Sequence, residues 1–204
     1  MIGCGVVELR ESVVPHFLIT CKKDKSVKKT ILFILITLSG LTVMAQYKPV
    51  DEKSTVQFTI GNFGFDVKGS FTGIQGMINF DAQAPASSSM DITIDAGTIN
   101  TDNSLRDKHL KDENYFDIKN YPNIHFVSTK ITASGKTGNY TVNGKLTIKG
   151  KSKDISIPFT AVPANNEFQF KGSFKINRKD FGVGGTSPIS NELEVTLNIY
   201  AVKS

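Results

Sequence analysis

The sequence predicts an all-β protein in which a single antiparallel sheet closes or folds over on itself. Apolar and polar residues alternate with a period of two along most of the chain, as in Val56, Phe58 and Ile60, and short turns separate the alternating stretches. Short turns join antiparallel neighbours, and a long sheet with one apolar face must bury that face. We therefore predict a barrel or sandwich of eight or nine strands, with one short helix inserted between its two halves.

The alternating stretches define the predicted strands in chain order. They are residues 55–60, 65–71, 74–80, 90–96, 124–131, 140–148, 155–161, 168–176 and 193–201. The helix is predicted over residues 104–113, within the only long interruption of the pattern. Asp102, Asn103 and Ser104 are all favourable N-caps. Ser104 and Asp107 also have the spacing of a capping box.

The N-terminal segment has the pattern of an export signal. Five lysines precede an apolar run over residues 31–38, and Val43 and Ala45 satisfy the small-residue rule for cleavage. We predict cleavage between Ala45 and Gln46, with export to the periplasm or secretion. The sequence from Val27 onward would form a compact signal by itself, so translation starting there instead of at the first methionine is a second hypothesis.

Residues 1–45 are thus predicted to be an N-terminal extension and signal, and residues 46–204 a single domain. That length supports a substantial core without covalent cross-links. Residues 1–45 hold six of the 24 Lys and Arg residues and three of the 19 Asp and Glu residues, so the domain has a net charge of about +2. This balance gives no support for a nucleic-acid-binding surface. Cys4 and Cys21 both precede the cleavage site, so no disulfide is expected in the domain.

Four glycines fall on the apolar side of their strands: Gly69, Gly76, Gly144 and Gly172. Glycine within a strand marks a bend or a close approach, and on the inner face it can also leave volume unfilled. A barrel of about eight strands can be filled by its side chains or can hold one small ligand. The glycines are compatible with both kinds of barrel.

The interrupting segment concentrates the reactive side chains without forming a complete catalytic or metal site. The domain has no cysteine and no Gly-x-Ser-x-Gly motif for a nucleophile. An enzyme alternative would use His109 as a base on a hydrophobic substrate, oriented by Asp107 or Asp117. His125 lies on the outward side of its strand, and two distant histidines do not make a metal site. We expect no catalytic residue, metal or cofactor.

Arg106 and Asp107 have two interpretations. In the first interpretation, the two side chains form an ion pair that fastens the helix to the rim of the barrel, because arginine offers a planar fork for a carboxylate. Alternatively, Arg106 or His109 contacts the polar head of a ligand whose tail lies inside.

Several short motifs occur in order between Pro49 and Lys203. They are Val50-Asp51, Gly69-Ser70-Phe71, Ile94-Asp95-Ala96, Arg106-Asp107-Lys108-His109-Leu110, Tyr115-Phe116-Asp117, Tyr121-Pro122, Gly144-Lys145-Leu146-Thr147-Ile148-Lys149-Gly150 and Asn177-Arg178-Lys179-Asp180-Phe181-Gly182. The ordered set resembles the YceI-like family, also called polyisoprenoid-binding. The resemblance implies a lipocalin-like barrel with a short helix, exported to the periplasm, that holds a long isoprenoid-type lipid such as a quinone or polyprenyl phosphate. Many family members have His-Ser after the opening Val-Asp, where this chain has Glu52-Lys53-Ser54, which puts the family's head-group preference in doubt here.

We therefore predict a non-catalytic carrier or sequestering protein whose partner is an isoprenoid or other long-chain amphiphilic lipid. No nucleic acid and no stable membrane anchor are expected, and a homodimer stays open. The predicted cavity wall consists of Phe58, Phe71, Phe80, Ile92, Ile94, Leu146, Phe159, Phe170, Phe174 and Leu197. The predicted mouth or head-group residues are Arg106, Asp107 and His109. The alternatives are a filled structural or envelope stress-response barrel without ligand, and the His109-dependent enzyme.

Overall fold

The computed structural model describes residues 45–204, so the predicted signal segment before Ala45 lies outside the described residues. The described chain contains ten strands and one α-helix. They are β1 Gln46–Pro49, β2 Thr55–Asn62, β3 Phe65–Phe71, β4 Gln75–Asn79, β5 Ser89–Asp95, α1 Ser104–Lys111, β6 Asn123–Ala133, β7 Asn139–Ile148, β8 Lys151–Ala164, β9 Glu167–Asn177 and β10 Glu192–Lys203.

The strands form one closed antiparallel sheet. The sequence β4-β5-β6-β7-β8-β9-β10 is continuous, and β1 closes it by pairing with β4 on one side and β10 on the other. β2 continues β1 along β10, and β3 continues the wall of β4 by pairing with β2. Segments β1 and β2 therefore act as one interrupted strand, and so do β3 and β4. The ten segments make a barrel of eight strands. The predicted antiparallel barrel with one short helix is confirmed.

Strand β1 is absent from the sequence-based prediction. It has four residues, includes Pro49, and buries only Tyr47, so it shows no alternation. Its role follows from register: Tyr47 pairs with Ile78 of β4 and with Lys203 of β10. This short strand closes the barrel.

Helix α1 begins with a different cap from the predicted box. The side chain of Asn103 accepts a hydrogen bond from the backbone N–H of Arg106 at 3.0 Å, so Asn103 is the N-cap. The Asp107 carboxylate accepts hydrogen bonds from Thr101 instead of closing a box on Ser104. The helix ends at Lys111, two residues earlier than predicted, and turns follow it.

Two of the inward glycines, Gly69 and Gly144, do not supply space inside the barrel, whereas Gly172 lines the cavity. A Cβ on Gly69 would lie 2.3 Å from the ring of Phe58, and a Cβ on Gly144 would lie 2.5 Å from the ring of Phe126. Aromatic rings of neighbouring strands therefore occupy that room. Gly76 is exposed, with a φ of +133°, and its Cβ would lie 2.0 Å from the Asp91 carbonyl oxygen, so it marks a bend against the adjacent strand.

The end of the barrel opposite α1 is closed by stacked and edge-on rings, here called the aromatic plug. The plug consists of Tyr47, Phe80, Tyr140, Phe159, Phe168 and Phe170. Phe80 lies at its centre with four ring neighbours at centroid distances of 5.1 to 6.2 Å, within the range of favourable aromatic pairs.

The β2–β3 hairpin has a two-residue turn with an unfavourable side chain. Phe63 and Gly64 have φ angles of +50° and +86°, the signs of a type I′ turn, which favours Asn-Gly at these positions. Phe63 is 75% exposed, so its ring packs against little that would offset the left-handed backbone.

Replacing Phe63 by Asn is expected to stabilise the protein by about 1 kcal/mol, because Asn tolerates the left-handed conformation. The midpoint of thermal unfolding should rise by roughly 2–4 °C. Phe65→Asn is the matched control, because Phe65 is 78% exposed but its φ is not positive. A Phe63→Asn midpoint at or below that of the parent would contradict this account of the turn.

Candidate functional site

A cavity of about 260 Å³ lies inside the barrel between the aromatic plug and α1. Nine of the ten predicted wall residues line it: Phe58, Phe71, Ile92, Ile94, Leu146, Phe159, Phe170, Phe174 and Leu197. Phe80 does not line the cavity, because it lies in the plug behind Phe159 and Phe170. Contact of the nine residues with a lipid stays a prediction.

The lining is almost wholly apolar. Its polar members are Asn62, Thr101, Arg106, Tyr115, Lys171 and Arg178. An apolar wall gives no compensation for a buried polar group, so the site favours a hydrocarbon occupant with few polar atoms.

The cavity opens at the end of the barrel that carries α1. Ile60, Val67 and Leu193 line it there and are only partly buried, whereas Phe159 and Phe170 at the far end are buried. This exposure gradient defines a mouth at one end and a closed floor at the other. A filled barrel, as in the structural alternative, is not what the structure shows.

Arg106 and Asp107 do not pair with each other, and the predicted ion pair is wrong. Both side chains hold Thr101: Arg106 Nε donates to its hydroxyl and Nη2 to its carbonyl, each at 2.7 Å. The Asp107 carboxylate accepts from the Thr101 N–H and hydroxyl. Thr101, which is 4% exposed, therefore links the two charges and fixes the start of α1 beside the cavity.

Of the three predicted mouth residues, only Arg106 lines the cavity. Its Nη1 atom has no hydrogen-bond partner among the described residues, so one edge of the guanidinium is available. Asp107 is committed to Thr101, and His109 is exposed and outside the lining.

The arrangement required by the enzyme alternative is not formed. Within the described chain, His109 has neither a hydrogen bond nor an ion pair with Asp107 or Asp117. The Asp117 carboxylate instead accepts two hydrogen bonds from Asn120 at 3.0 Å. His125 faces outward as predicted and pairs with Asp91 at 2.7 Å in an exposed position.

Arg178 is a cavity-lining residue to which sequence reasoning gave no role. It is 3% exposed and has no carboxylate partner in the described structure. Its guanidinium donates to the carbonyls of Ser190, Val183, Ser187 and Ile189 and to the Asn191 side chain, at 2.7 to 3.3 Å. One buried cation therefore organises residues 182–191.

The loop that Arg178 organises is attached to the segment after α1. Gly184 N–H donates to the Asn114 carbonyl at 2.9 Å, and the Tyr115 hydroxyl bonds to Ser187 at 3.3 Å. Lys149 reaches the carbonyl of Glu113 from the β7–β8 turn. Beneath these contacts lies a small second core, which consists of Leu146, Ile148, Phe181 and Val183. The mouth is thus framed by three loops tied to one another.

One pKa shift is found near the rim of the barrel. A hydrogen bond from Lys175 to the Glu192 carboxylate raises the pKa of Lys175, and both side chains are exposed near the rim. Residues 45–204 contain no cluster of three His, Cys, Asp or Glu side chains suited to a metal ion. No helix within the same residues is long and apolar enough to cross a membrane.

The closed eight-stranded barrel with an apolar interior is the fold of a known class of proteins. The model of the YceI-like domain matches residues 47–201, so the chain belongs to the YceI-like family. A UPF0312 protein of Yersinia enterocolitica is 27% identical over 183 residues, covering 83% of this chain and 93% of its own. A UPF0312 protein of Pectobacterium carotovorum is 26% identical, covering 86% and 98%.

Two solved structures show the same architecture. BcnA of Burkholderia cenocepacia has a TM-score of 0.71 and 28% identity, covering 76% of this chain and 99% of its own. A polyisoprenoid binding domain from Saccharophagus degradans, implicated in plant cell wall breakdown, has a TM-score of 0.64 and 12% identity, covering 79% and 99%. At that identity, the second similarity shows the fold alone.

Proposed function

We propose that this protein is an exported, non-catalytic carrier that holds the chain of one isoprenoid-type lipid inside its barrel. The observation that carries the proposal is the apolar cavity of about 260 Å³, closed by the aromatic plug and open beside α1. A polyisoprenoid binding domain has the same fold, so the barrel is compatible with a ligand of this class. Among the described strands, β1 is the first and begins at Gln46, so the predicted cleavage would leave all of them intact and is compatible with export.

The energetics suit a reversible carrier. Burying about ten chain carbons at ~0.8 kcal/mol each contributes roughly 8 kcal/mol, which corresponds to about micromolar affinity before ordering costs. The chain supplies the affinity in this scheme. The few polar groups at the mouth select the head group, a quinone or a phosphate.

The direct test is mass spectrometry of an organic extract of the purified protein, followed by uptake of added prenyl lipids. A stoichiometric isoprenoid in the extract, or saturable uptake by lipid-free protein, is the expected result. The absence of lipid from the extract, together with no uptake of any added compound, would contradict the carrier function.

Filling the cavity from its wall is expected to weaken lipid retention by about tenfold or more. Val195 lines the cavity, so the indole of Val195→Trp enters it. Displacing only two carbons of the lipid chain from the cavity weakens binding by about tenfold. Thr196→Trp is the matched control, because Thr196 is the next residue of β10 and faces solvent. Lipid retained equally by both variants would place the binding site outside the barrel.

Arg106 is expected to discriminate between head groups. Its Nη1, which has no partner within residues 45–204, can donate to an anionic oxygen, and a hydrogen bond to a charged group is worth about 1.5–3 kcal/mol. Arg106→Met should therefore weaken binding of a prenyl phosphate roughly tenfold or more, while a prenyl alcohol of the same length loses less. Lys108→Met, an exposed position on α1 that does not line the cavity, is the control. An equal loss for both lipids would indicate that Arg106 serves only to position Thr101.

A further inference from the structure

We infer that the mouth of the barrel docks onto the surface of a lipid bilayer through three exposed apolar side chains, Phe63, Phe65 and Leu105, here called the apolar rim. They are 75%, 78% and 66% exposed, more than any other large apolar side chain of the described residues. The inference goes beyond the proposed function, because it assigns a partner to the outside of the barrel. It takes from that function only the reason for docking, which is exchange of a lipid with a membrane.

Phe63 and Phe65 lie at the tip of the β2–β3 hairpin, directly beyond the mouth. Asn62 lines the cavity and pairs with Phe65 across the hairpin, so both side chains are on the inner side of the sheet. Val67, two residues further along β3, also lines the cavity. Phe65 therefore continues the inner wall past the end of the barrel, where its ring is exposed.

Leu105 lies at the same end of the barrel, in the first turn of α1. Asn100 forms an antiparallel bridge with Ser70 of β3, so the chain from Asn100 runs beside β3 toward the tip of the hairpin. Helix α1 begins four residues later, and none of its residues is fully buried. Arg106, the residue after Leu105, lines the cavity, so Leu105 lies beside the opening.

The backbone of Phe63 is an independent observation that points to a partner surface. Its φ of +50° is left-handed, a conformation that favours Asn or Gly and is unfavourable for a large side chain. The ring is too exposed for packing within the barrel to offset this cost. A side chain that lowers stability without a gain in the folded protein is expected where it contacts another surface.

That surface is assigned to a bilayer because of where the rim lies. The three side chains flank an opening, and a protein bound across them would close it. An apolar path runs from the rim past Ile60 and Val67 to the wall of the cavity. With the rim in a bilayer, a lipid can follow this path without exposing its chain to water.

The charge of the rim does not oppose this docking. Residues 62–68 and 102–111 together contain four Lys or Arg residues and three Asp residues. Lys108 and His109 follow Leu105 by three and four positions, so they share its side of α1. Because the net charge is small, insertion of the apolar side chains should supply most of the binding, and salt should change it little.

The test is flotation of the purified protein with vesicles of phosphatidylcholine, alone and mixed with phosphatidylglycerol. The parent should bind both kinds of vesicle. Phe63→Asn and Leu105→Gln should each bind roughly tenfold more weakly or worse, because one large apolar side chain is removed from the rim. Since Phe63→Asn is expected to raise the midpoint of thermal unfolding, its loss of binding cannot be attributed to unfolding.

Val162→Thr is the matched control. Val162 is 49% exposed, and it lies on β8 beside the aromatic plug, at the end of the barrel opposite the rim. Its replacement should leave vesicle binding unchanged within about twofold. All of these proteins share the N-terminal segment of the parent, so differences between them report on the substituted side chains.

A fluorescent variant reports the insertion directly, because the chain contains no tryptophan. Phe63→Trp keeps a large apolar ring and should retain vesicle binding. Its emission should shift to shorter wavelength when vesicles are added, whereas the emission of Val162→Trp should not move.

Three results would overturn the docking. They are failure of the parent to bind either kind of vesicle, equal binding by the parent and both rim variants, and an unchanged emission of Phe63→Trp. Self-association of the parent that both rim variants abolish, without vesicle binding, would assign the rim to a second copy of this chain and would also overturn it. None of these results contradicts the carrier function, which the organic extract and lipid uptake test separately.

Discussion

Replacing Arg178 by Met is expected to destabilise the protein by about 3–5 kcal/mol, the cost of removing one partner from a buried charged network. The Met side chain keeps most of the apolar stem but donates no hydrogen bonds. Four backbone carbonyls and the Asn191 side chain then lose their donor. Each buried acceptor left unsatisfied costs about 1–3 kcal/mol, and water relieves part of this at the half-buried positions.

The measurement is the free energy of unfolding in guanidinium chloride, together with amide hydrogen exchange in residues 182–191. Protection should fall in that loop before it falls in the strands, because the loop carbonyls are what Arg178 holds. Lys179→Met is the control at the next, exposed position, where a change within about 0.5 kcal/mol is expected. If the two variants were equally stable, the arginine would not be what orders the loop.

A signal for Arg178 is present in the sequence. Residues 182–191 contain three glycines and one proline but no charged side chain, so this loop cannot satisfy its own carbonyls with cationic donors. An arginine directly ahead of such a loop is a reasonable candidate for that role. What the sequence cannot supply is the direction of the side chain, which depends on the turn made by residues 178–181.

The error at Arg106 and Asp107 has a simple geometric cause. Adjacent residues on a helix lie about 100° apart around its axis and do not face each other, unlike residues three or four apart. The two side chains therefore meet a third residue, Thr101, which precedes the helix. Two opposite charges adjacent in a sequence predict a polar cluster better than they predict a direct ion pair.

The barrel and most of its inner wall follow from alternation alone, because a closed sheet has one inside and each strand has a fixed parity. Parity does not show how far along the barrel a side chain lies. Phe80 and Phe71 share the apolar pattern, yet one belongs to the plug and the other lines the cavity. The filling of the glycine positions is likewise decided by rings on neighbouring strands, such as Phe58 against Gly69.

Truncating Phe80 to Ala is expected to cost about 3–5 kcal/mol of unfolding free energy, because a large buried ring is lost from a closely packed site. Phe80 is 2% exposed and contacts Tyr140, Phe159, Phe168 and Phe170. Phe65→Ala is the exposed control, with an expected change within about 0.5 kcal/mol.

The same variant tests whether the space vacated in the plug stays open. If the plug collapses into that space, the loss of stability will fall below about 2 kcal/mol. If the space stays open, the full loss of about 3–5 kcal/mol should appear. A three-unit prenyl alcohol should then stabilise Phe80→Ala more than it stabilises the parent, because a ligand stabilises the folded state in proportion to the logarithm of its affinity. Equal rescue of both proteins, combined with a full loss of stability, would show that the opened space is not continuous with the cavity.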